Sequence, residues 1–327
     1  MFRWLVNAIL LAIPVGTTIA ILLGLQVHNN ANGRPPPFSG GDNAGDLPGV
    51  GIPRGKDGVF MKCDESFGFD PKSKGQNFIL NPNPWGWKDG EPGALCMLVN
   101  VNGNRTYATD FSAPVFNVTW QYPRLTNGRN NVHAFPNAEV DNKKFPVQVG
   151  SVSKFELDVE WSLSLKNDTR QQVTEDDITA NQINANVAVD MFMDKDSTKA
   201  GESTKAGFEV MVWLADFGTD AWPIGKTTAA DKGLVKTTTL NGVEFELYAG
   251  TNAQQQRVLS WVATKPTANF QGNLKPLLDG IFDLNNANYP QKTDYLGYVA
   301  FGQEAYSSTS NVTFSVTNLA IDIETSA

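Results

Sequence analysis

Phe208-Glu209-Val210-Met211-Val212-Trp213-Leu214 alternates without interruption. In an extended strand Phe208, Val210, Val212 and Leu214 share one face, and Glu209, Met211 and Trp213 share the other. The first set is an unbroken core face. The second aligns a carboxylate with a thioether and an indole, where a solvent-facing strand carries Thr, Lys or Ser. A concave face that binds sugar rings needs this mixture: flat aromatic surface for the C–H faces of a pyranose, and an acid at the bond to be cut. An acid at a half-covered sheet edge, with Met211 and Trp213 filling a small second core, satisfies the same pattern. Both readings stay open on this stretch alone.

The same period of two recurs from Phe116 to Tyr122, Lys154 to Leu165, Ile183 to Met193, Val243 to Ala249, Arg257 to Thr264 and Asn311 to Ile323. Turn residues separate these runs, and no repeat of fixed length is visible. One stretch, Leu274 to Asn285, suits a short helix. So many strands in a block of this size predict an all-β chain, a β-sandwich or jelly roll of antiparallel strands with one short helix.

Ahead of that block, Trp4 to Val27 carries no charge and Arg3 precedes it. A helix of this length spans a bilayer core and exceeds the apolar region of an ordinary cleaved signal, and no small-residue cleavage site follows it. Residues 1–28 are therefore expected to form a transmembrane signal anchor, or failing that a signal peptide, with the remainder outside the cell or in the lumen. Residues 29–58, which include Arg34-Pro35-Pro36-Pro37, read as a flexible linker, and 59–327 as the folded domain. Export also fits the sequons at Asn104, Asn117, Asn167 and Asn311. Cys63 and Cys96, the only cysteines, are expected to form a disulfide in that compartment, two buried thiols being the alternative.

Composition narrows the chemistry. The formal charge is -8 and no basic stripe exists, which argues against a nucleic-acid partner. An uncharged polysaccharide makes no such demand. His28 and His133 are too few and too scattered for a multi-histidine metal site. A Ser/His/Asp triad would rest on His133 alone, in a strand-and-turn context. Glycosidic cleavage instead needs two carboxyl groups. The second candidate is Glu304, in Tyr298-Val299-Ala300-Phe301-Gly302-Gln303-Glu304-Ala305-Tyr306, where small residues leave room and tyrosines border the face. Read in isolation it is an ordinary solvated glutamate. Asp190 interrupts the apolar run Val187 to Met193 and calls for a partner.

At these residues the sequence resembles glycoside hydrolase family 12, the retaining endo-β-1,4-glucanases and xyloglucanases. Glu209-Val210-Met211-Val212-Trp213-Leu214 followed by Pro223-Ile224-Gly225 resembles the nucleophile strand and its loop. Phe301-Gly302-Gln303-Glu304-Ala305-Tyr306 resembles the acid/base strand. Asn83-Pro84-Trp85-Gly86 resembles a segment whose tryptophan lines a glucosyl subsite, lying between Cys63 and Cys96 as in the family's disulfide-closed loop. Val118-Thr119-Trp120-Gln121, Val132 to Asn137 and Val189-Asp190-Met191-Phe192 follow in family order. The departures are Val189 in place of the usual Tyr, His133-Ala134-Phe135 in place of Lys-Ser-Tyr, and longer loops at 166–177 and 194–204.

The resemblance implies a curved antiparallel β-sandwich jelly roll with a concave substrate cleft, Glu209 as nucleophile, Glu304 as acid/base and Asp190 as support for Glu209. It implies Asn83, Trp85, Trp120, Met211, Trp213 and Pro223 at the sugar-binding surface, with Trp161, Trp222 and Trp261 left to packing or loops. Neither metal nor organic cofactor is required. The expected partner is a β-glucan or xyloglucan, bound by a monomeric catalytic domain. A glycan-binding module without turnover on the same sandwich is the main alternative, and transfer of the glycosyl group to a sugar acceptor is a weaker one.

Overall fold

A computed structural model of the protein describes residues 58–71, 73–101, 107–125, 131–165, 172–227 and 233–326. Two sheets pack face to face. The smaller contains β1 (Gly58–Cys63), β3 (Ala94–Val101), β4 (Val115–Gln121), β16 (Val312–Thr325), β7 (Val152–Leu165) and β13 (Asn269–Asn273), in that spatial order. The larger runs β10 (Leu234–Leu240), β11 (Val243–Thr251), β12 (Arg257–Ala263), β9 (Phe208–Phe217), β8 (Asn184–Asp194), β14 (Tyr295–Gly302), β5 (Asn137–Asp141) and β2 (Asn77–Asn81). Two short strands join it off this path, β6 (Val147–Gln148) on β14 and β15 (Ala305–Ser307) on β8. The sandwich jelly roll expected from the alternating runs is the fold observed.

The core lies between the sheets. Trp161 of β7 meets Phe217 of β9 edge-on at 6.1 Å, Phe314 of β16 meets Phe301 of β14 at 6.2 Å, and Phe270 of β13 meets Phe245 of β11 at 6.4 Å. Val210, Val212 and Leu214 point into this layer and are fully buried. Burying side chains of this size stabilises the fold by about 1.5–3 kcal/mol each. β8, at the centre, is buried on both faces along nearly its whole length. That burial is why Asp190 can sit in an apolar run only where the far face turns into a site.

One pairing departs from the antiparallel expectation: β12 runs parallel to β9, with Val258 opposite Glu209. A parallel neighbour needs a long crossover, and the chain between the two strands supplies it through β10 and β11. The expected helix is α2 (Lys275–Phe282), which receives the Trp261 indole N–H on the Leu277 carbonyl at 3.0 Å. A second short helix, α1 (Glu175–Ala180), lies in the lengthened loop before β8, and Thr174 and Asp177 close a capping box at its start.

Cys63 and Cys96 are directly paired across β1 and β3 and are joined as a disulfide. The closed loop carries β2 over to the larger sheet together with the turn that holds Trp85. Tying such a loop removes unfolded-state entropy worth about 3–4 kcal/mol in the chain-entropy model. Asn311 is exposed and Asn117 half-buried on β4, while Asn104 and Asn167 fall outside the described residues. Among the described residues no helix is long and apolar enough to cross a membrane. The run from Trp4 to Val27 and the linker to residue 57 also lie outside them.

Candidate active site

The site is built from rows of side chains crossing the larger sheet. One row runs Glu139 (β5), Ala300 (β14), Asp190 (β8), Met211 (β9), Ser260 (β12) and Tyr248 (β11). A neighbouring row places Tyr298, Phe192 and Glu209 side by side on β14, β8 and β9. On the other side lies Gly302, Ala188 and Trp213. Above these rows is a cleft of about 1020 Å³, lined by Asn83, Trp85, Glu139, Asp190, Glu209, Met211, Trp213, Trp222, Pro223, Tyr298, Glu304 and Tyr306.

Two turns wall the cleft on the β2–β5 side. Asn83 takes a left-handed conformation (φ 43°), which Asn tolerates better than most residues. Its carbonyl accepts from the Phe135 amide at 3.0 Å, and the Gly86 amide donates to the His133 carbonyl at 2.9 Å. A Cβ on Gly86 would collide with the Val132 carbonyl, so only glycine lets these turns lie together. The turn leaves Trp85 58% exposed. An indole this open at a cleft rim offers a flat apolar face to a sugar ring. On the opposite side, Pro223-Ile224-Gly225 leans on β11. The Lys226 ammonium sits 5.2 Å from the Trp222 ring centroid and 5.0 Å from that of Tyr248.

Glu209 is the second residue of β9, and the Asn252 side-chain amide donates to its Oε2 at 3.2 Å. The same amide donates to Gln256 Oε1 at 2.8 Å, and Gln256 is anchored through the carbonyls of Ser203 and Ala206. Glu304 occupies a break between β14 and β15. Gly302, just before it, approaches the Pro136 carbonyl too closely for any Cβ. Glu304 Oε2 accepts from the Tyr306 hydroxyl at 2.9 Å and from the Asn186 side-chain amide. Asn186 Oδ1 in turn accepts the Glu304 amide at 3.0 Å.

Burial pushes the Glu209 carboxyl from the usual carboxylate range up to about 7; the charge of Glu304 adds to this and the Asn252 amide opposes it. Burial also raises Glu304 to about 7, against the two donors on its Oε2. Asp190, only 5% exposed, is raised well above the ordinary range, by burial first and then by the charges of Glu209 and Glu304. Its Oδ1 has no hydrogen-bond partner among the described residues. Carboxyls this close raise one another, so ionising one makes the next harder to ionise. Glu139 is a fourth, raised to about 7 by burial and then by Asp141.

The structure brings together Glu209, Glu304, Asp190, Asn83, Trp85, Met211, Trp213 and Pro223. Trp120 is a correction. It is 1% exposed, lies between the sheets, and donates from Nε1 to Gln303 Oε1 at 2.7 Å. Its ring has no face to offer a sugar and instead packs beneath the joint that carries Glu304. Trp222 lies in the loop after β9, as expected, and from there it lines the cleft, whereas Trp161 and Trp261 are buried. Trp213 reaches the floor but is only 2% exposed. Val189, the departure from the family's tyrosine, is buried on the face opposite Asp190, between Val212 and Phe301. Asn186, Glu139, Asn252 and Gln256 escaped the sequence reading.

A sandwich whose larger sheet carries two glutamates under one cleft, between aromatic side chains, has the make-up of a glycoside hydrolase. Within that class the chain belongs to glycosyl hydrolase family 12, whose model matches residues 76–324. It is 31% identical, over 72% of this chain and 82% of the relative, to a probable xyloglucan-specific endo-beta-1,4-glucanase A of Aspergillus clavatus. It is 28% identical to the xyloglucan-specific endo-beta-1,4-glucanase A of Emericella nidulans, over 76% and 86% of the two chains. In fold it matches Trichoderma harzianum endoglucanase 3 from family GH12, with a TM-score of 0.60, 24% identity, and coverage of 81% of this chain and 98% of that one.

Proposed function

We propose that the protein is a retaining endo-β-1,4-glucanase acting on xyloglucan, with Glu209 as nucleophile and Glu304 as acid/base. The observation that carries this is that Glu209 and Glu304 line one cleft together with Trp85 on its β2–β5 side and Trp222 on its β11 side. Such a cleft receives the interior of a chain and not only its end.

In the first step the Glu209 carboxylate attacks the anomeric carbon. Glu304 gives its proton to the departing oxygen, which keeps the electron pair of the broken bond. In the second step Glu304 takes a proton from water, the water oxygen bonds to the anomeric carbon, and Glu209 leaves. Two inversions restore the starting configuration, which requires the carboxyls to stand about 5–5.5 Å apart. Asp190, in the row beside Glu209 and raised above the ordinary carboxylate range, is the neighbouring acid that supports Glu209 as it enters and leaves the glycosyl bond. Xyloglucan is the substrate on which the two curated relatives are named.

Hydrolysis of xyloglucan, mixed-linkage glucan and unbranched β-1,4-glucan, with the product anomer followed by NMR, tests the reading. A fall in viscosity faster than the rise in reducing ends, with the β-anomer released first, is expected. Release of the α-anomer would remove the retaining assignment, and preference for an unbranched glucan would remove xyloglucan. The Cys63–Cys96 disulfide supports an oxidising compartment, and the uncharged Trp4–Val27 run supports delivery on a membrane anchor. Carbonate extraction of membranes distinguishes an anchored chain from a released one.

A further inference from the structure

Two donors converge on one oxygen of Glu304, and each is held from behind. Asn186 Nδ2 bonds Oε2, while Asn186 Oδ1 takes the Glu304 amide at 3.0 Å and the Asn186 amide donates to the Glu304 carbonyl at 3.2 Å. The two residues therefore clasp each other through backbone and side chain together. Tyr306 comes from another direction, with its hydroxyl 2.9 Å from the same Oε2. Its ring is buried against Val132 and Ala221, and its carbonyl accepts from His133 Nδ1 at 2.6 Å. The His133 ring stacks on Tyr122 at 4.6 Å. A phenol fixed this firmly does not swing with its partner, so it dictates where the carboxyl points.

We propose that the Tyr306 hydroxyl is a positioning residue for the acid/base: with Asn186 it saturates Oε2, leaving Oε1 to carry the transferable proton. This rests on the reading of Glu304 as acid/base. When the acid acts, the Oε1–H bond breaks as the proton bonds to the leaving oxygen. The negative charge left on the carboxylate is met by the two donors already seated on Oε2. When Glu304 acts as base, the proton of water returns to Oε1 while the ester to Glu209 breaks. A carboxyl free to rotate would present either oxygen and lose part of the advantage of orientation.

The chemistry gives a signed test. A hydrogen bond donated to a carboxylate favours its ionised form, so the phenol holds Glu304 below the pKa that burial alone would impose. The charged or titratable groups that face this pair are Asp190 on β8, Glu209 and Asp216 on β9, and His133 on the 131–135 turn; Lys226 faces Asp216. The variants below leave all of these in place.

The experiment compares wild type, Tyr306→Phe, Glu304→Gln and the protein carrying 3-fluorotyrosine at 306, all full-length, on xyloglucan. In Tyr306→Phe the basic limb of kcat/KM is expected to move up by roughly one pH unit, with kcat reduced and KM little changed. 3-Fluorotyrosine, a stronger donor of nearly the same shape, moves the limb down. This second variant preserves the ring and its packing, so it still decides the matter if Tyr306→Phe folds poorly. A limb unmoved in both, or moved in the same direction by both, overturns the positioning role. Glu304→Gln separates the two levels. If it keeps the wild-type basic limb, the acid/base assignment and the positioning role fall together. If it abolishes that limb while the Tyr306 variants leave it fixed, only the positioning role falls.

Discussion

Glu209 stands inside an unbroken strand with neighbours paired on both sides, Phe192 of β8 and Val258 of β12. Glu304 stands in a gap between two strands, where the chain leaves the pleat. The difference matters because the pleat itself aims a side chain. For Glu209 the sheet fixes direction, and one amide from Asn252 steadies the end. For Glu304 the sheet supplies no direction, so Asn186 and Tyr306 supply it through hydrogen bonds. A nucleophile must meet one atom along one line, whereas an acid/base must serve a departing oxygen and then an incoming water. A rigid strand suits the first task and a joint with side-chain ties suits the second.

Replacing each glutamate by glutamine is the hardest test of that division. Glu209→Gln is expected to lower kcat on xyloglucan by about 10⁴-fold or more, since no covalent intermediate can form. Turnover within tenfold of wild type would remove Glu209 as nucleophile. Glu304→Gln is expected to cost about 10²–10⁴-fold on the same substrate. On a dinitrophenyl cellobioside, whose leaving group needs no proton, the same variant should give a burst of dinitrophenolate followed by slow release. Equal losses on both substrates would contradict its role as acid.

How much of this contrast could be read from the chain follows from what each feature depends on. Glu209 was legible because alternation is local: a carboxylate sharing a face with Met211 and Trp213 is anomalous within seven residues. The sandwich was legible for the same reason. Trp120 shows the limit. Alternation correctly groups it with Phe116 and Val118, but not which sheet β4 joins, and the smaller sheet turns that face inward. Asn186 lies four residues before Asp190 on the same face of β8, because the extra residue at the slip opposite Val187 and Ala188 falls on β9; its link to Glu304 joins segments over a hundred residues apart, so nothing local marks it. The parallel contact of β12 with β9 joins segments about fifty residues apart and leaves no local trace. Glu139 was the recoverable omission, since Ala138 and Val140 are buried beside it and the acid must face the other way.

A smaller effect separates substrate grip from acid chemistry. Trp85→Ala removes an exposed indole that packs on no core, so the fold should persist. Loss of one sugar-stacking contact of about 0.5–1.5 kcal/mol raises KM roughly 2- to 10-fold. Neither limb of the pH profile should move, because Trp85 is remote from the ties on Glu209 and Glu304. A shifted limb would mean that the rim and the pair are coupled, and the division between them would have to be redrawn.

The smallest expected effect sharpens the comparison most, because it supplies a glutamate that shares the environment but not the chemistry. Glu139 sits on a regular strand like Glu209, and burial lifts it from 4.5 to about 7. Between those values the folded protein keeps a proton that the unfolded chain has released, so stability falls as pH rises through that window. Its contribution is intact below about pH 4.5 and lost above about 7. Glu139→Gln removes the titration while keeping the shape of the neutral acid. The variant should therefore melt with the wild type at pH 4 and above it at pH 8, by about 2–4 °C for a gain of order 1 kcal/mol. The pH limbs of turnover, which the proposed mechanism assigns to Glu209 and Glu304, should stay where they are. Equal melting at both pH values would mean that the Glu139 carboxyl reaches water in the cleft. A moved limb would instead place Glu139 in the same proton-sharing group as Glu209 and Glu304.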